Sequence, residues 1–256
     1  MIFGYEPTRF EQEWLPGSIG EFYEDEWFTS VLYPVKGGKE ANVYCCEAHP
    51  STGLKFLAAK VYRPRKFRTM RNDAIYREGR PGTSDKRLQR AIKKKTKKGR
   101  KVEAESWIGH EYQTLRALHE AGADVPKPLV QGENAILMEY VGDGDGAAPT
   151  LHEVSLEPDG ARRFFDRLMK NVALFLGCDH IHGDLSAYNV LYSEGDFKVI
   201  DFPQTVDPVN NPNAFTLLVR DVERLCQYFA EYGVEASPVR LAEDMWRRYM
   251  RNELRG

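Results

Sequence analysis

Long apolar runs are missing from this chain, so no segment of it reads as a membrane-crossing helix. Its first residues carry Glu6, Glu11 and Glu13 and no basic stretch followed by an apolar one, which predicts no secretory leader, no membrane partner and a cytoplasmic location. Cysteine is scarce. The four present, Cys45, Cys46, Cys178 and Cys226, form no C-x-x-C pair and have no histidine at zinc-finger spacing. That indicates neither a disulfide framework nor a metal site and predicts reduced, mostly buried thiols. Internal repeats are absent, and neither G-x-x-x-x-G-K-[ST] nor G-x-G-x-x-G occurs. The acidic stretch Gly142–Gly146 lacks the twelve-position ligand pattern of a calcium loop and reads as an ordinary loop.

The chain does have bulk and charge. Its 256 residues, 42% hydrophobic, can bury the core of one large domain or of two lobes. The net charge of -2 conceals a separation: residues 60–101 hold eighteen of the 36 basic and three of the 38 acidic side chains, leaving -17 for the remainder. The most basic part, 86–101, includes Lys93-Lys94-Lys95-Thr96-Lys97-Lys98 and reads either as a solvated loop or as a contact for nucleic-acid phosphate. Aromatic residues are too sparse there for base stacking.

The chemistry concentrates further along. His182-Gly183-Asp184-Leu185-Ser186-Ala187-Tyr188-Asn189 is followed by Val199-Ile200-Asp201-Phe202. Phosphoryl transfer needs a carboxylate to orient the acceptor hydroxyl and oxygen ligands to fix magnesium against the phosphates. Asp184, Asn189 and Asp201 stand in the order and spacing that meet both needs. Residues 190–192 and 197–200 read as short strands joined by Ser193-Glu194-Gly195-Asp196, a hairpin that brings Asn189 and Asp201 to one end. Magnesium suits these oxygen donors because it is a hard ion that keeps several waters.

A nucleotide cradle is legible upstream. Strands over 31–35 and 42–46 flank a turn, Lys36-Gly37-Gly38-Lys39-Glu40-Ala41, whose glycines let backbone N–H groups approach phosphate. The strand 57–62 then carries Lys60 where a kinase pattern puts its α/β-phosphate lysine. Residues 104–121 have Trp107, Glu111, Leu115 and Leu118 at helical spacing, so Glu111 lies on the apolar stripe and needs a cation; Lys60 is the natural partner, with Glu105 and Glu103 as alternative acids. Residues 134–142 read as a buried strand running into a linker, whose backbone around Met138, Glu139 and Val141 would meet an adenine edge. Helices are predicted over 158–179, 213–232 and 238–254.

Taken together, these parts resemble the RIO family of atypical serine/threonine protein kinases over residues 28–235. Gly38-Lys39-Glu40-Ala41-Asn42-Val43-Tyr44 looks like its phosphate loop, His182-Gly183-Asp184-Leu185-Ser186 to Asn189 like its catalytic loop, and Ile200-Asp201-Phe202-Pro203-Gln204 like its metal loop. The resemblance implies an α+β, two-lobed kinase-like fold: an N-terminal extension (1–27), an antiparallel-sheet lobe (28–141) with a basic flexible loop at 63–101, and a mainly helical lobe (142–256). It also implies roles. ATP would be held by Gly37 to Val43 with Lys60, Glu111, Met138, Glu139 and Val141. Asn189 and Asp201 would bind Mg2+, and Asp184 would orient the acceptor, a protein substrate or the chain itself. Asp201 would be able to accept phosphate, and Asp221 would be structural. The basic segment before the Glu111 helix matches the position of the family's flexible loop, and from its charge the 86–101 run is a candidate contact for RNA or a ribosomal particle.

Departures shape the reading. Lys36 stands where the family's phosphate loop begins with Ser, Gly183 where ordinary kinases have Arg, and Pro203 where they have Gly. No Ala-Pro-Glu follows, so no activation segment is expected. The short stretch before residue 30 points to the first RIO subfamily in a compact microbial form. Two rivals share features: a small-molecule phosphotransferase of the aminoglycoside or choline kinase type, with Glu153, Glu157 and Asp159 as its acidic pocket, and an ATP-gated ribosome-assembly factor with little kinase activity. The Gly38–Tyr44 loop and the basic insertion speak against the first.

Overall fold

The computed structural model describes residues 1–38, 40–63, 96–193 and 195–254, with the backbone alone at 97–106 and 158–159. The described chain divides into two compact units, the first comprising residues 1–38, 40–63, 96–113 and 126–147 and the second 114–125, 148–193 and 195–254.

The first unit is built on a six-stranded sheet in the order β1-β2-β3-β4-β6-β5, with β1 (Ile2–Phe3), β2 (Phe28–Gly37), β3 (Ala41–Ala48), β4 (Phe56–Tyr62), β5 (Pro128–Gln131) and β6 (Ala135–Glu139). Only β1 pairs in parallel; the other neighbours are antiparallel. Pro34 interrupts β2 at a register shift, beyond the two residues that β1 covers, where a missing N–H costs no ladder bond on the open side.

Strand alternation sorts the faces. Leu57, Ala59 and Val61 of β4, Tyr44 and Cys46 of β3, and Ala135 and Leu137 of β6 pack with Leu15, Ile19 and Phe22 of helix α1 (Arg9–Glu24) into one buried cluster. Lys60 therefore points the other way. Helix α1 was not evident in the sequence pattern because Pro16 lies inside it. Its start was written there nonetheless: Thr8 and Glu11 form a capping box, with Glu11 N donating to Thr8 Oγ1 at 3.3 Å and Thr8 N to Glu11 Oε2 at 2.9 Å. Residues 1–27, set apart in sequence as an extension, thus supply both a strand and a core helix.

Helix α2 (Lys97–Glu120) begins inside the basic run, ahead of the expected residue 104, so the end of the span expected as a flexible loop, 97–101, is helical. The rest of the basic segment, within 64–95, lies outside the described residues, as does Lys39.

The second unit is mainly helical, with α3 (Pro158–Gly177), α4 (Ala214–Ala230) and α5 (Pro238–Met250) packed on one another. Helix α4 buries Leu217, Leu218, Val222, Leu225 and Phe229 along one side. The expected hairpin is present as β7 (Val190–Ser193) and β8 (Asp196–Val199), in register Val190↔Val199 to Ser193↔Asp196. Ile181 and Val206 form an isolated bridge that ties the chain after the hairpin to the residue before His182. Among the described residues no helix is long and apolar enough to cross a membrane.

Candidate active site

In the first unit the turn between β2 and β3 is tighter than the expected 36–41 span. Gly37 pairs with Asn42, and Gly38 N donates to Ala41 O at 2.9 Å. A Cβ on Gly38 would lie 2.8 Å from that carbonyl oxygen, so only glycine closes this turn undisturbed. Val43, Lys60 and Ile136 form one cross-strand row, with Cys45, Ala58 and Met138 in the next but one. Lys60 Nζ donates to Glu111 Oε1 at 2.6 Å, and Tyr62 Oη donates to Glu111 Oε2. Glu111 is 1% exposed. Tyr62 reaches it because it sits two residues after Lys60 on the same face of β4. The expected acid is thus the partner, while the side chains of Glu103 and Glu105 lie outside the described residues.

A second network supports the turn from the opposite face. Asn42 Oδ1 accepts from Arg63 Nε at 3.0 Å and Nη2 at 2.8 Å. Asn42 Nδ2 donates to Tyr44 Oη at 3.0 Å, and Tyr44 Oη donates to Glu11 Oε1 at 3.0 Å. Burial pushes the Tyr44 hydroxyl up to about 12. The first turn of α1 is in this way bonded, through one buried phenol, to the side chain beside Ala41. Glu40 holds the other rim, its carbonyl accepting from Arg63 N at 2.8 Å. Met138 is buried in β6. Glu139 ends that strand, with its N–H on Lys127 O at 2.8 Å and its carboxylate accepting from Lys127 N at 3.0 Å. Val141 follows, outside the strand and half-buried.

In the second unit the loop His182–Asn189 is held by α4. Asp221, 1% exposed, accepts from Gly183 N at 2.7 Å and from Leu185 N at 3.1 Å. Burial raises its carboxyl to about 7, against the pull of those two donors and of Arg220 and Arg224. A small cavity beside it, walled by Phe175, Leu185, Leu218 and His182, keeps the surroundings apolar. Arg220 Nη2 donates to Gly183 O, and Arg224 Nη1 to Asp184 Oδ1 at 2.6 Å. Gly183 has φ +80°, a left-handed conformation that a larger residue adopts at a cost, which accounts for glycine there.

Asn189 and Asp201 meet at the open end of the hairpin. Ile200 N donates to Asn189 O at 2.9 Å, and Asn189 Nδ2 donates to Asp184 O at 2.9 Å, which leaves the amide oxygen as this side chain's acceptor. His182 is oriented from both ends: its Nδ1 accepts from Asp184 N at 3.3 Å, so Nε2 carries the proton toward Ile200 O at 3.1 Å, and its ring lies 4.7 Å from that of Phe202. Asp201 itself sits at φ +72°. Asp184 and Asn189 are thus hydrogen-bonded to each other, and Asp201 follows directly on Ile200, whose N–H bonds Asn189 O. Among the described residues no group of three or more His, Cys, Asp or Glu side chains could hold a metal unaided.

The comparisons with known proteins bear on the family and the fold. The family model of the RIO domain matches residues 42–242. The chain belongs to the RIO family of atypical protein kinases.

This RIO domain is similar to the RIO-type serine/threonine-protein kinase Rio1 of Haloferax volcanii, with 34% identity over 86% of the chain and 70% of the relative. It is 29% identical to the Rio1 kinase of Thermoplasma acidophilum over 75% of the chain and 94% of the relative. Against the serine/threonine-protein kinase RIO1 of Chaetomium thermophilum it is 29% identical over 81% of the chain, and spans 40% of that relative's length. Its fold is that of the solved Rio2 kinase of the same fungus in an ADP/Mg2+-phosphoaspartate complex, at TM-score 0.65 and 21% identity, covering 95% of this chain and 68% of that one. The expected α+β two-lobed kinase-like class is therefore the fold of this RIO domain.

Sequence reasoning missed three contributors to the RIO site: Tyr62, Arg224, and the Glu11–Tyr44 link. Tyr62 carried a signal, its place two residues beyond Lys60. Arg224 carried one as well, three residues beyond Asp221 on a helix. The Glu11–Tyr44 link carried none, because it joins segments 33 residues apart through a helix that the pattern did not reveal.

Proposed function

We propose that this RIO domain is an ATP-dependent serine/threonine protein kinase and ATPase, acting on a protein acceptor or on itself. The observation that carries the reading is the Lys60–Glu111 pair. Burying a carboxylate at 1% exposure is costly, and an ion pair there contributes little net stability over an apolar pair of the same volume. A lysine held rigidly on the sheet face next to a tight glycine turn is suited instead to nucleotide phosphates. In this reading Lys60 binds the α/β-phosphates and Glu111 fixes it. Gly37 to Val43 cover the phosphates, and Met138, Glu139 and Val141 receive adenine.

The donor set fits Mg2+. Asn189 keeps its amide oxygen for an ion because its NH2 is spent on Asp184 O, and Asp201 adds a carboxylate. Two oxygen donors suit an ion that takes its remaining ligands from water and phosphate. When bound, Mg2+ would neutralise charge on the transferring phosphoryl group. Asp184 orients the acceptor hydroxyl or a water. Asp201 is in addition a candidate acceptor, which would place an aspartyl-phosphate in an ATPase cycle. We place the protein in the cytoplasm, where its four unpaired cysteines stay reduced, and assign the 86–101 run to RNA or ribosomal-particle contact. Neutral replacements in that run are expected to flatten the salt dependence of RNA binding.

The test is ATP turnover by wild type, Asp184→Ala and Asp201→Ala, with isothermal titration of Mg2+–nucleotide. Both variants are expected to lose turnover, and only Asp201→Ala to lose metal-dependent affinity. Wild-type protein that neither binds ATP nor turns it over would end the proposal, and the lack of any hydroxylamine-sensitive label would remove the aspartyl-phosphate alone.

A further inference from the structure

One turn of α4 clasps the catalytic loop at three consecutive residues. Arg220 and Asp221 engage backbone atoms of Gly183 and Leu185. Arg224 differs from both, because it touches the reacting side chain itself, Asp184 Oδ1, at 2.6 Å. From Arg220 to Arg224 is i to i+4, so both guanidinium groups leave the helix on the same side.

We infer that Arg224 is the positioning residue that fixes the Asp184 carboxylate, occupying Oδ1 so that Oδ2 is presented to the acceptor hydroxyl or water. This rests on the kinase reading above. Three observations lead to it. The loop from His182 to Asn189 contains no lysine or arginine, so the only cation bonded to Asp184 among the described residues comes from α4. The pair is substantially exposed, at 37% for Arg224 and 42% for Asp184, and ion pairs so open to water do little for stability, so a purely structural purpose does not account for it. A carboxylate that far exposed and otherwise unheld would sample several rotamers, and general-base work requires one. Asn189 fixes the Asp184 main chain through its carbonyl, and Arg224 completes the constraint at the side chain.

The contact runs through a single nitrogen, Nη1 to Oδ1, so a lysine that reaches the same oxygen preserves it. The experiment compares wild type, Arg224→Gln and Arg224→Lys, with Arg162→Gln as control; Arg162 makes an exposed ion pair with Asp166 of α3 at 3.1 Å, remote in sequence from the loop. Steady-state kcat, KM for ATP and thermal midpoint are measured for each. Arg224→Gln is expected to lose kcat by roughly 10- to 100-fold, as small misplacements of catalytic groups do, with KM for ATP within about twofold. Its melting shift should match that of Arg162→Gln, which keeps full turnover. Arg224→Lys is expected to recover most of the loss. The inference is overturned if Arg224→Gln retains or raises kcat, if its effect is confined to KM, or if lysine recovers nothing. A wild type without turnover defeats the kinase reading, whereas an active wild type matched by Arg224→Gln defeats this inference alone.

Discussion

Lys60 and Glu111 are 51 residues apart in the chain and 2.6 Å apart across the first unit, the lysine on β4 and the carboxylate on α2. Breaking such a pair strands a buried charge. Lys60→Met is expected to cost about 3 kcal/mol of unfolding free energy and all ATP turnover. Lys60→Met/Glu111→Gln, which removes the stranded charge yet keeps an acceptor for Tyr62, should recover most of the stability and none of the activity. Urea melts with parallel turnover assays decide it; stability that stays low in the double variant would contradict the account.

Asp201 occupies a left-handed backbone well at φ +72°, tolerable for aspartate and easier for glycine. Asp201→Gly should hold or slightly raise the thermal midpoint while abolishing magnesium-dependent turnover, a trade of function against backbone ease. A marked fall in midpoint would mean that the carboxylate is a structural anchor instead.

With its carboxyl raised to about 7 from an ordinary value of 3.8, Asp221 binds its proton more tightly folded than unfolded. The sign follows: between those values the folded state holds more protons, so this group's contribution to stability is greatest at low pH and declines as pH rises toward 7, at up to about 1.4 kcal/mol per pH unit. Asp221→Asn loses one of the two N–H acceptors, at roughly 1–3 kcal/mol, and has no titration. Denaturant midpoints at pH 5.5 and 8 should show the wild-type advantage narrowing with pH; a constant or widening gap would refute this.

Tyr44→Phe removes the hydroxyl that joins Asn42 to Glu11. About 1–2 kcal/mol of stability should go with it, since two polar groups lose a partner. If the link steadies the phosphate turn, KM for ATP rises severalfold while kcat stays put, which initial-rate kinetics at saturating acceptor can separate.

Much of this was legible in the chain. The apolar run 57–62 in kinase motif order placed Lys60 on a strand, the 3.6-residue stripe placed Glu111 on a helix, and turn residues between Val190 and Val199 gave the hairpin that sets Asn189 near Asp201. What stayed hidden was long-range and non-periodic. Helix α1 was masked by an internal proline despite a Thr8–Glu11 cap. The contact from Arg224 to Asp184 spans 40 residues and depends on helix rotation relative to a loop, which spacing along the chain does not encode.

The stretch matched by the family model opens at Asn42, in the first strand turn of β3. Everything before it, β1, α1 and β2, belongs to the same sheet and cluster, and Leu15, Ile19 and Phe22 are almost wholly enclosed. Kinship and foldability thus have different borders in this protein. A shortened version beginning at Asn42 would keep Lys60, Asp184 and Asp201, yet present a bare strand edge and an uncapped apolar sheet face to its neighbours, the combination that favours self-association over solubility.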